Sequence, residues 1–109
     1  MKMIVAIIQP FMLDRVLRGL RGKVHGLTCW DVRGFGIEAT QAHFVQDAAD
    51  YLSHKVRIEI VVEETAVETI VSTIQRLAHT GQSGDGKIFV LAVEEALRIR
   101  TGQVGAAAI

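Results

Sequence analysis

Apolar and polar positions follow two different periods along this chain, and together they predict four strands and two helices. Residues 2–9 are almost continuously apolar, which is typical of a strand buried on both faces of a sheet. Residues 55–62 alternate between apolar and polar side chains, as a half-buried strand does. Residues 25–36 and 88–93 have similar but weaker patterns. We therefore predict these four segments as strands.

Apolar residues recur every three or four positions in two further segments, and this period predicts amphipathic helices over 11–22 and 65–79. Thr65 and Glu68 match a capping box at the start of the second helix, and Gly81 is expected to stop it. The resulting order is βαββαβ. It predicts an α+β ferredoxin-like βαββαβ sandwich, in which one antiparallel four-stranded sheet carries two helices on one face.

The second face of such a sheet has no cover within one chain. Val61, Trp30 and the apolar positions of the first strand are expected on that face, where they would be exposed in a monomer. An uncovered apolar face of this kind predicts oligomerisation.

Residues 1–109 are expected to form a single domain with three irregular segments. The segment at about 37–54 has no sustained period, and we expect a long mobile loop, with a short helix over 44–52 as the alternative. A glycine-rich loop spans 80–88, and a C-terminal tail spans 94–109. In this tail, arginine and apolar residues alternate over 97–100, which predicts an extended edge segment, and the final alanines are expected to be frayed.

Composition limits the partners of the chain. Its formal net charge is zero, with 12 basic and 12 acidic residues, so a general nucleic-acid partner is not expected. Cys29 is the single cysteine, which excludes an intrachain disulfide and suits a reducing compartment. The N-terminal apolar run is too short to span a membrane. We expect a cytoplasmic protein that is not membrane-embedded.

The glycine-rich loop carries the strongest chemical signal. Three glycines lie within six residues, Gly81, Gly84 and Gly86, and Lys87 directly follows the last of them. Glycines let backbone N–H groups converge on an anion, and the lysine adds positive charge, so the loop predicts a phosphate cradle. Ile88 stands where a Walker A loop has Ser or Thr, and the helix–loop–strand order is reversed, so a P-loop NTPase is excluded. The alternative is a helix C-cap followed by a tight turn.

Other reactive side chains form no recognisable catalytic set. The four histidines are scattered, and His25 with Cys29 supplies too few ligands for zinc. Ser83, Asp85 and His79 lie close in sequence, but without an ordered nucleophile, base and orienting group they do not predict a hydrolase. We expect no enzyme and assign no metal site.

Several stretches together resemble the P-II nitrogen-regulatory signal-transduction family along nearly the whole chain. They are Ala6-Ile7-Ile8-Gln9-Pro10-Phe11, Gly34-Phe35-Gly36, Lys55-Val56-Arg57-Ile58-Glu59-Ile60-Val61-Val62, Gly84-Asp85-Gly86-Lys87-Ile88-Phe89-Val90 and Ile99-Arg100-Thr101-Gly102. The resemblance implies a homotrimer that binds ATP or ADP between subunits, with Mg²⁺ as a companion ion. It also implies a mobile loop that controls a partner enzyme, regulator or membrane transporter.

The resemblance also implies which residues bind the nucleotide. Phosphates would contact Gly84, Asp85, Gly86 and Lys87, together with Arg98 and Arg100 from the neighbouring subunit or from the chain's own tail. The base and sugar would contact Ile7, Thr28, Gly34, Phe35, Gly36 and Val61.

One segment departs from the family pattern. Ile37-Glu38-Ala39-Thr40 replaces the family's Arg-Gln-Lys-Gly, although Lys55, the family's lysine for the 2-oxoglutarate carboxylate, is present. A carboxylate about 4 Å from another carboxylate costs on the order of 4 kcal/mol at an effective dielectric near 20. Classical 2-oxoglutarate sensing is therefore not expected, and uridylylation is not expected either. Glu38 and Lys55 remain candidate contacts for some other small anionic effector. The alternatives are a P-II-like regulator of bicarbonate, carbon or other transport, and a trimeric scaffold or metal-tolerance protein without nucleotide sensing.

Overall fold

The structure, a computed structural model, describes residues 1–36 and 51–109. Its strands are β1 (Lys2–Ile8), β2 (Thr28–Gly34), β3 (Ser53–Val62) and β4 (Gly86–Ala92). They form one antiparallel sheet in the order β2–β3–β1–β4. β1 is central, which explains its continuous apolar run. The predicted ferredoxin-like sheet is confirmed.

The two helices are α1 (Leu13–Leu20) and α2 (Val67–Ala78), and each follows a short 3₁₀ turn. α1 is shorter than the predicted segment at both ends. Its N-terminal side starts with the 3₁₀ turn at Pro10–Met12, where proline supplies the fixed φ but no N–H donor. Among the described residues, no helix is long and apolar enough to cross a membrane.

Both helices cover one face of the sheet, and the core lies between them. The buried residues of this layer are Ile4, Ala6, Ile8, Val16, Leu20, Val56, Ile58, Ile60, Val62, Ile70, Ile74, Leu77 and Ala78. The helices approach closely at Gly19, where an added Cβ would lie 1.9 Å from Leu77 Cδ1. The glycine thus permits the α1–α2 contact that closes the core.

The other face of the sheet, called here the open face, combines apolar and charged side chains. Trp30, Phe89 and Leu91 are 42%, 51% and 44% exposed on it. The Arg57 guanidinium donates two hydrogen bonds to Glu59 Oε2 and lies 5.7 Å from the centroid of the Trp30 ring. Val5 is buried and Val61 partly buried, but most of the face remains accessible, as predicted for a single chain.

The predicted capping box at the start of α2 is wrong. The helix begins after the 3₁₀ turn Glu64–Ala66, its N-cap residue is Ala66, and no side chain caps it. Thr65 lies inside the 3₁₀ turn, so its hydroxyl is not at the N-cap position. At the other end, His79 is already extended, and α2 stops before Gly81 is reached.

The C-terminal tail is also not the extended edge segment that alternation predicted. Leu97 and Val104 form an isolated antiparallel bridge around a turn. The Gly102 N–H donates to the Arg98 carbonyl at 2.7 Å, and the left-handed φ of +71° at Gly102 permits this closure. The final alanines, expected to be frayed, form a 3₁₀ turn at Gly105–Ala108.

Candidate functional site

Four strand ends meet at one end of the sheet, and a cleft opens on the open face there. β1 and β2 end at Ile8 and Gly34, while β3 and β4 begin at Ser53 and Gly86. The cleft has a volume of about 410 Å³. Its lining residues are Ile7, Gly34, Phe35, Gly36, Ser53, Lys55, Gly84, Gly86, Lys87 and Phe89.

The glycine loop forms one wall of the cleft, and its backbone requires glycine at two positions. Gly84 and Gly86 have φ values of +94° and +109°, in the region that L-residues with a side chain rarely adopt. At Gly86, an added Cβ would lie 1.7 Å from the Ile7 carbonyl oxygen. The loop therefore enters β4 in direct contact with the backbone of β1.

Asp85 closes the glycine loop on itself. Its carboxylate accepts hydrogen bonds from the N–H groups of Thr80 and Gly81 at 2.8 and 2.9 Å, and from the Thr80 hydroxyl. These donors, led by the Thr80 hydroxyl, hold the pKa of Asp85 below its usual value. Asp85 does not line the cleft. It lines a second cavity, of about 300 Å³, on the helix side of the sheet. Because its carboxylate accepts hydrogen bonds only from within the loop, it organises the loop.

Two lysines give the cleft its charge. Lys55 lies on the open face of β3 and Lys87 on that of β4, and both line the cleft. The Lys55 Nζ donates a hydrogen bond to the Gly84 carbonyl at 2.8 Å. No carboxylate is among the described residues that line the cleft. An apolar floor with two ammonium groups and a glycine-rich wall suits a ligand that has an apolar part and an anionic part.

Most of the predicted nucleotide contacts line this one cleft, while five others lie elsewhere in the chain. Those in the cleft are Ile7, Gly34, Phe35, Gly36, Gly84, Gly86 and Lys87, and those outside it are Thr28, Val61, Asp85, Arg98 and Arg100. Lys55, predicted as an effector contact, also lines the cleft, and Glu38 lies outside the described residues.

Thr28 and Val61 lie toward the far end of the sheet. Thr28 pairs with Glu59, four residues along β3 from Lys55, which is about 13 Å at the usual strand rise. Val61 lies further still and pairs with Met3. Arg98 belongs to the tail, where its Nη2 donates to the carbonyl oxygen of Ile109 at 3.0 Å. One chain alone does not bring these side chains to the cleft.

Two lining residues were not predicted. Phe89 was placed within a strand but given no binding role. It is two residues after Lys87 in β4, so the two side chains lie on the same face. Ser53 was assigned to the loop before β3, and its hydroxyl donates to the Gly34 carbonyl at 3.3 Å. Strand alternation from Lys87 could have identified Phe89, whereas Ser53 depends on the β2–β3 register, which no local pattern reveals. Within the described residues, no cluster of three potential metal-ligating side chains occurs.

The fold and the cleft define a small ferredoxin-like protein with a cleft at one end of its sheet that carries two lysines and no described carboxylate. Comparison with known proteins gives the family: the model for "Nitrogen regulatory protein P-II" matches residues 1–103, so this chain belongs to the P-II family. It is 46% identical over 113 aligned residues to the nitrogen regulatory protein P-II of Azospirillum brasilense, covering all of both chains. It is 47% identical to nitrogen regulatory protein P-II 1 of Escherichia coli (strain K12), again over all of both chains.

The fold is similar to a solved structure of the same family. PII of Arabidopsis thaliana, in a crystal structure bound to citrate, superposes with a TM-score of 0.83 at 38% identity, over 99% of this chain and 91% of that one. The resemblance seen in the sequence is therefore confirmed. P-II proteins are regulatory signal transducers and not enzymes, in agreement with the expectation from the residues.

Proposed function

We propose that this P-II family protein binds ATP or ADP in the cleft at the end of the sheet and reports nucleotide state to a partner protein. The observation that carries the proposal is the lining of the cleft. Lys55 and Lys87 converge there with the glycine loop, and no carboxylate among the described lining residues opposes them. Phosphate needs this combination of fixed positive charge and backbone donors, and an adenine ring can pack on Ile7 and Phe89.

The distribution of the remaining nucleotide contacts supports a homotrimer. Thr28 and Val61 lie on the open face but far from the cleft of their own chain. A neighbouring copy that packs on the open face would bring its own far-end residues to this cleft. The same packing would cover Trp30, Phe89 and Leu91. In this proposal, Arg98 and Arg100 add positive charge from the tail of one copy or the other.

The partner is proposed to be an enzyme or a membrane transporter, contacted by the 37–54 segment. Residues 37–50 lie outside the described part of the chain, and β3 begins at Ser53, beside the cleft. A ligand in the cleft therefore lies against the point where this segment joins the sheet. The single cysteine, Cys29, suits a reducing compartment, so we place this regulation in the cytoplasm.

A small anionic effector belongs to the same proposal. Lys55 offers an ammonium group for an anion smaller than 2-oxoglutarate. Classical 2-oxoglutarate sensing is not proposed, because Glu38 replaces the family's glutamine and its charge repels a dianion. Mg²⁺ enters only as a companion of ATP.

The direct test is isothermal titration calorimetry with ATP, ADP and AMP, beside size measurement by light scattering. We expect saturable binding of ATP or ADP by a trimer, without turnover. Lys87→Met keeps the aliphatic stem but removes the ammonium group, and it should weaken binding by about 1–3 kcal/mol. Lys23→Met, on an exposed loop away from the cleft, serves as the matched control. A trimer that shows no heat with millimolar nucleotide would instead indicate a scaffold without nucleotide sensing.

A further inference from the structure

The second cavity lies on the helix side of the sheet, where the last turn of α2 faces the glycine loop. Its volume of about 300 Å³ is at the lower end of the range of ligand pockets. The polar side chains at its rim are those of Gln75, His79 and Asp85. Its floor consists of apolar side chains that are buried or partly buried: Ile8, Val71, Ile74, Ala78 and Ile88. A homotrimer that packs through the open face leaves this cavity accessible.

The cavity and the cleft share a wall but open on opposite faces of the sheet. Ile7, Gly86 and Lys87 line both. The Lys87 side chain lies on the open face, because it alternates along β4 with that of Ile88, which packs against the core. Ile7 is in the same position on β1. These strand ends therefore present their backbone to the cavity, and the Lys87 ammonium group belongs to the cleft.

The end of α2 leaves carbonyl groups without their usual donors. The last four carbonyls of a helix have no partner within it, and the amides just beyond the helix often cap them. Here the backbone is already extended at His79, and the N–H groups of Thr80 and Gly81 donate to Asp85 instead. The Gln82 N–H donates to the Thr80 hydroxyl. Among the described residues, no backbone N–H outside α2 donates to the carbonyls of residues 75–78.

Hydrogen-bond acceptors and negative charge therefore collect at the rim. Carbonyls at a helix C-terminus carry partial negative charge, and Asp85 adds a full one. A carboxylate has about four acceptor positions, and that of Asp85 uses three, for the N–H groups of Thr80 and Gly81 and the Thr80 hydroxyl. Arg76, the basic residue of the last turn, is exposed and does not line the cavity. Acceptors beside an apolar floor suit a donor that has an apolar part.

We propose that this cavity binds a small organic cation, with an ammonium or guanidinium group on a compact apolar body. The apolar body packs on Ile74 and Ala78. The cation donates to the remaining acceptor position of Asp85 and to the uncapped carbonyls of α2. The two sides of the glycine loop then select opposite charges, an anion in the cleft and a cation in this cavity. The site does not depend on the nucleotide binding proposed for the cleft.

The test is an NMR titration of the full-length, nucleotide-free protein with benzylamine as the probe. It is run at low ionic strength and about pH 8, where an unperturbed histidine is neutral and a primary alkylamine is protonated. We expect saturable shifts of the Gln75, Ala78 and His79 amides. Benzyl alcohol, which has the same ring without the charge, should bind about tenfold more weakly. Benzoate should not shift these amides.

Variants at the rim change the charge without touching the core. Gln75 is exposed on α2 and lines the cavity. Gln75→Lys should weaken benzylamine binding about tenfold, and Gln75→Glu should strengthen it by a similar factor. Thr69→Lys is the matched control, because it adds the same charge to an exposed position of the same helix about 9 Å away along its axis. It should bind benzylamine as the unaltered protein does.

Each result decides the proposal. Equal shifts from benzoate and benzylamine overturn the selection for a cation, and shifts confined to the Gly34, Phe35 and Ser53 amides place the probe in the cleft and overturn the site. Benzylamine binding that is the same in Gln75→Lys and Thr69→Lys also overturns it. Should Gln75→Lys lower the melting temperature of the domain, Gln75→Glu decides, because weaker binding in that variant contradicts the proposal. Calorimetry without nucleotide binding, beside saturable benzylamine shifts, would refute the proposed function and leave this site standing.

Discussion

The two faces of the sheet differ in what covers them. The helix-covered face is closed by α1 and α2, and its strand residues, such as Ile4 and Ile58, are fully buried. The open face carries large apolar side chains that remain about half exposed, alongside the Arg57–Glu59 ion pair and the two cleft lysines. The covered face is explained by the folding of one chain. The open face is left largely uncovered by the single chain, and the candidate site lies on it.

The difference also separates stability from function. Burial of the covered face supplies the hydrophobic stabilisation of the domain, at roughly 25 cal/mol per Å² of apolar area. Residues on the open face contribute less within one chain, because much of their surface stays in water. Substitutions on the two faces should therefore have different signatures, one in unfolding and the other in assembly and binding.

The largest expected effect comes from placing a charge on the open face. Leu91 and Val90 are neighbours on β4, are 44% and 46% exposed, and point to opposite faces. If a second copy covers the open face, Leu91→Asp buries an unpaired carboxylate in the interface and should dissociate the assembly, whereas Val90→Asp should not. Light scattering of the two variants measures the difference. Equal assembly of both would contradict a homotrimer built on this face.

A smaller effect, on folding, is expected where the glycine loop meets β1. In Gly86→Ala the new Cβ would overlap the Ile7 carbonyl and the residue would be held at a φ of +109°, so we expect a loss of about 2–3 kcal/mol in unfolding free energy. Gly26→Ala is the control, because an added Cβ there has no atom within 4 Å. Chemical denaturation of both variants measures the difference. Equal denaturant midpoints of unfolding would show that the loop accommodates the added Cβ without loss of stability.

The pattern of the sequence predicted the covered face more completely than the open one. Alternation in β3 and the helical period of α2 identified the core, since burial against the chain's own helices imposes a local period. The glycine loop and Lys87 were also recognisable, because positive φ and anion binding need particular residue types. The position of Thr28 relative to the cleft was not, because it depends on the register between β2 and β3.

Two errors have a common physical origin. The Thr65–Glu68 pair and the alternating tail each match a local template, but turn geometry decided both cases. A 3₁₀ turn at Glu64–Ala66 displaces the start of α2, and a left-handed Gly102 closes the tail into a turn. Such turns depend on a few backbone angles that hydropathy does not record. The Lys55–Gly84 bond was missed for a related reason: its partners are 29 residues apart and meet only across β1.

The smallest expected effect concerns the hydrogen bonds that the Asp85 carboxylate accepts from Thr80 and Gly81. This effect depends on pH. Hydrogen bonds from Thr80 and Gly81 lower the pKa of Asp85 in the folded protein. A lowered folded pKa means that this contribution is fully present above the unfolded value of about 3.9 and is lost as the pH falls through the folded pKa.

We therefore expect the Thr80 and Gly81 amide resonances to shift together as the pH falls, with a midpoint below the ordinary aspartate pKa of about 3.9. In Asp85→Asn the acid transition should disappear, and both amides should show raised mobility already at neutral pH, since a neutral amide is a weaker acceptor than a carboxylate. An NMR titration of both proteins measures this. Amides that titrate at the ordinary aspartate value would show that Thr80 does not stabilise the carboxylate.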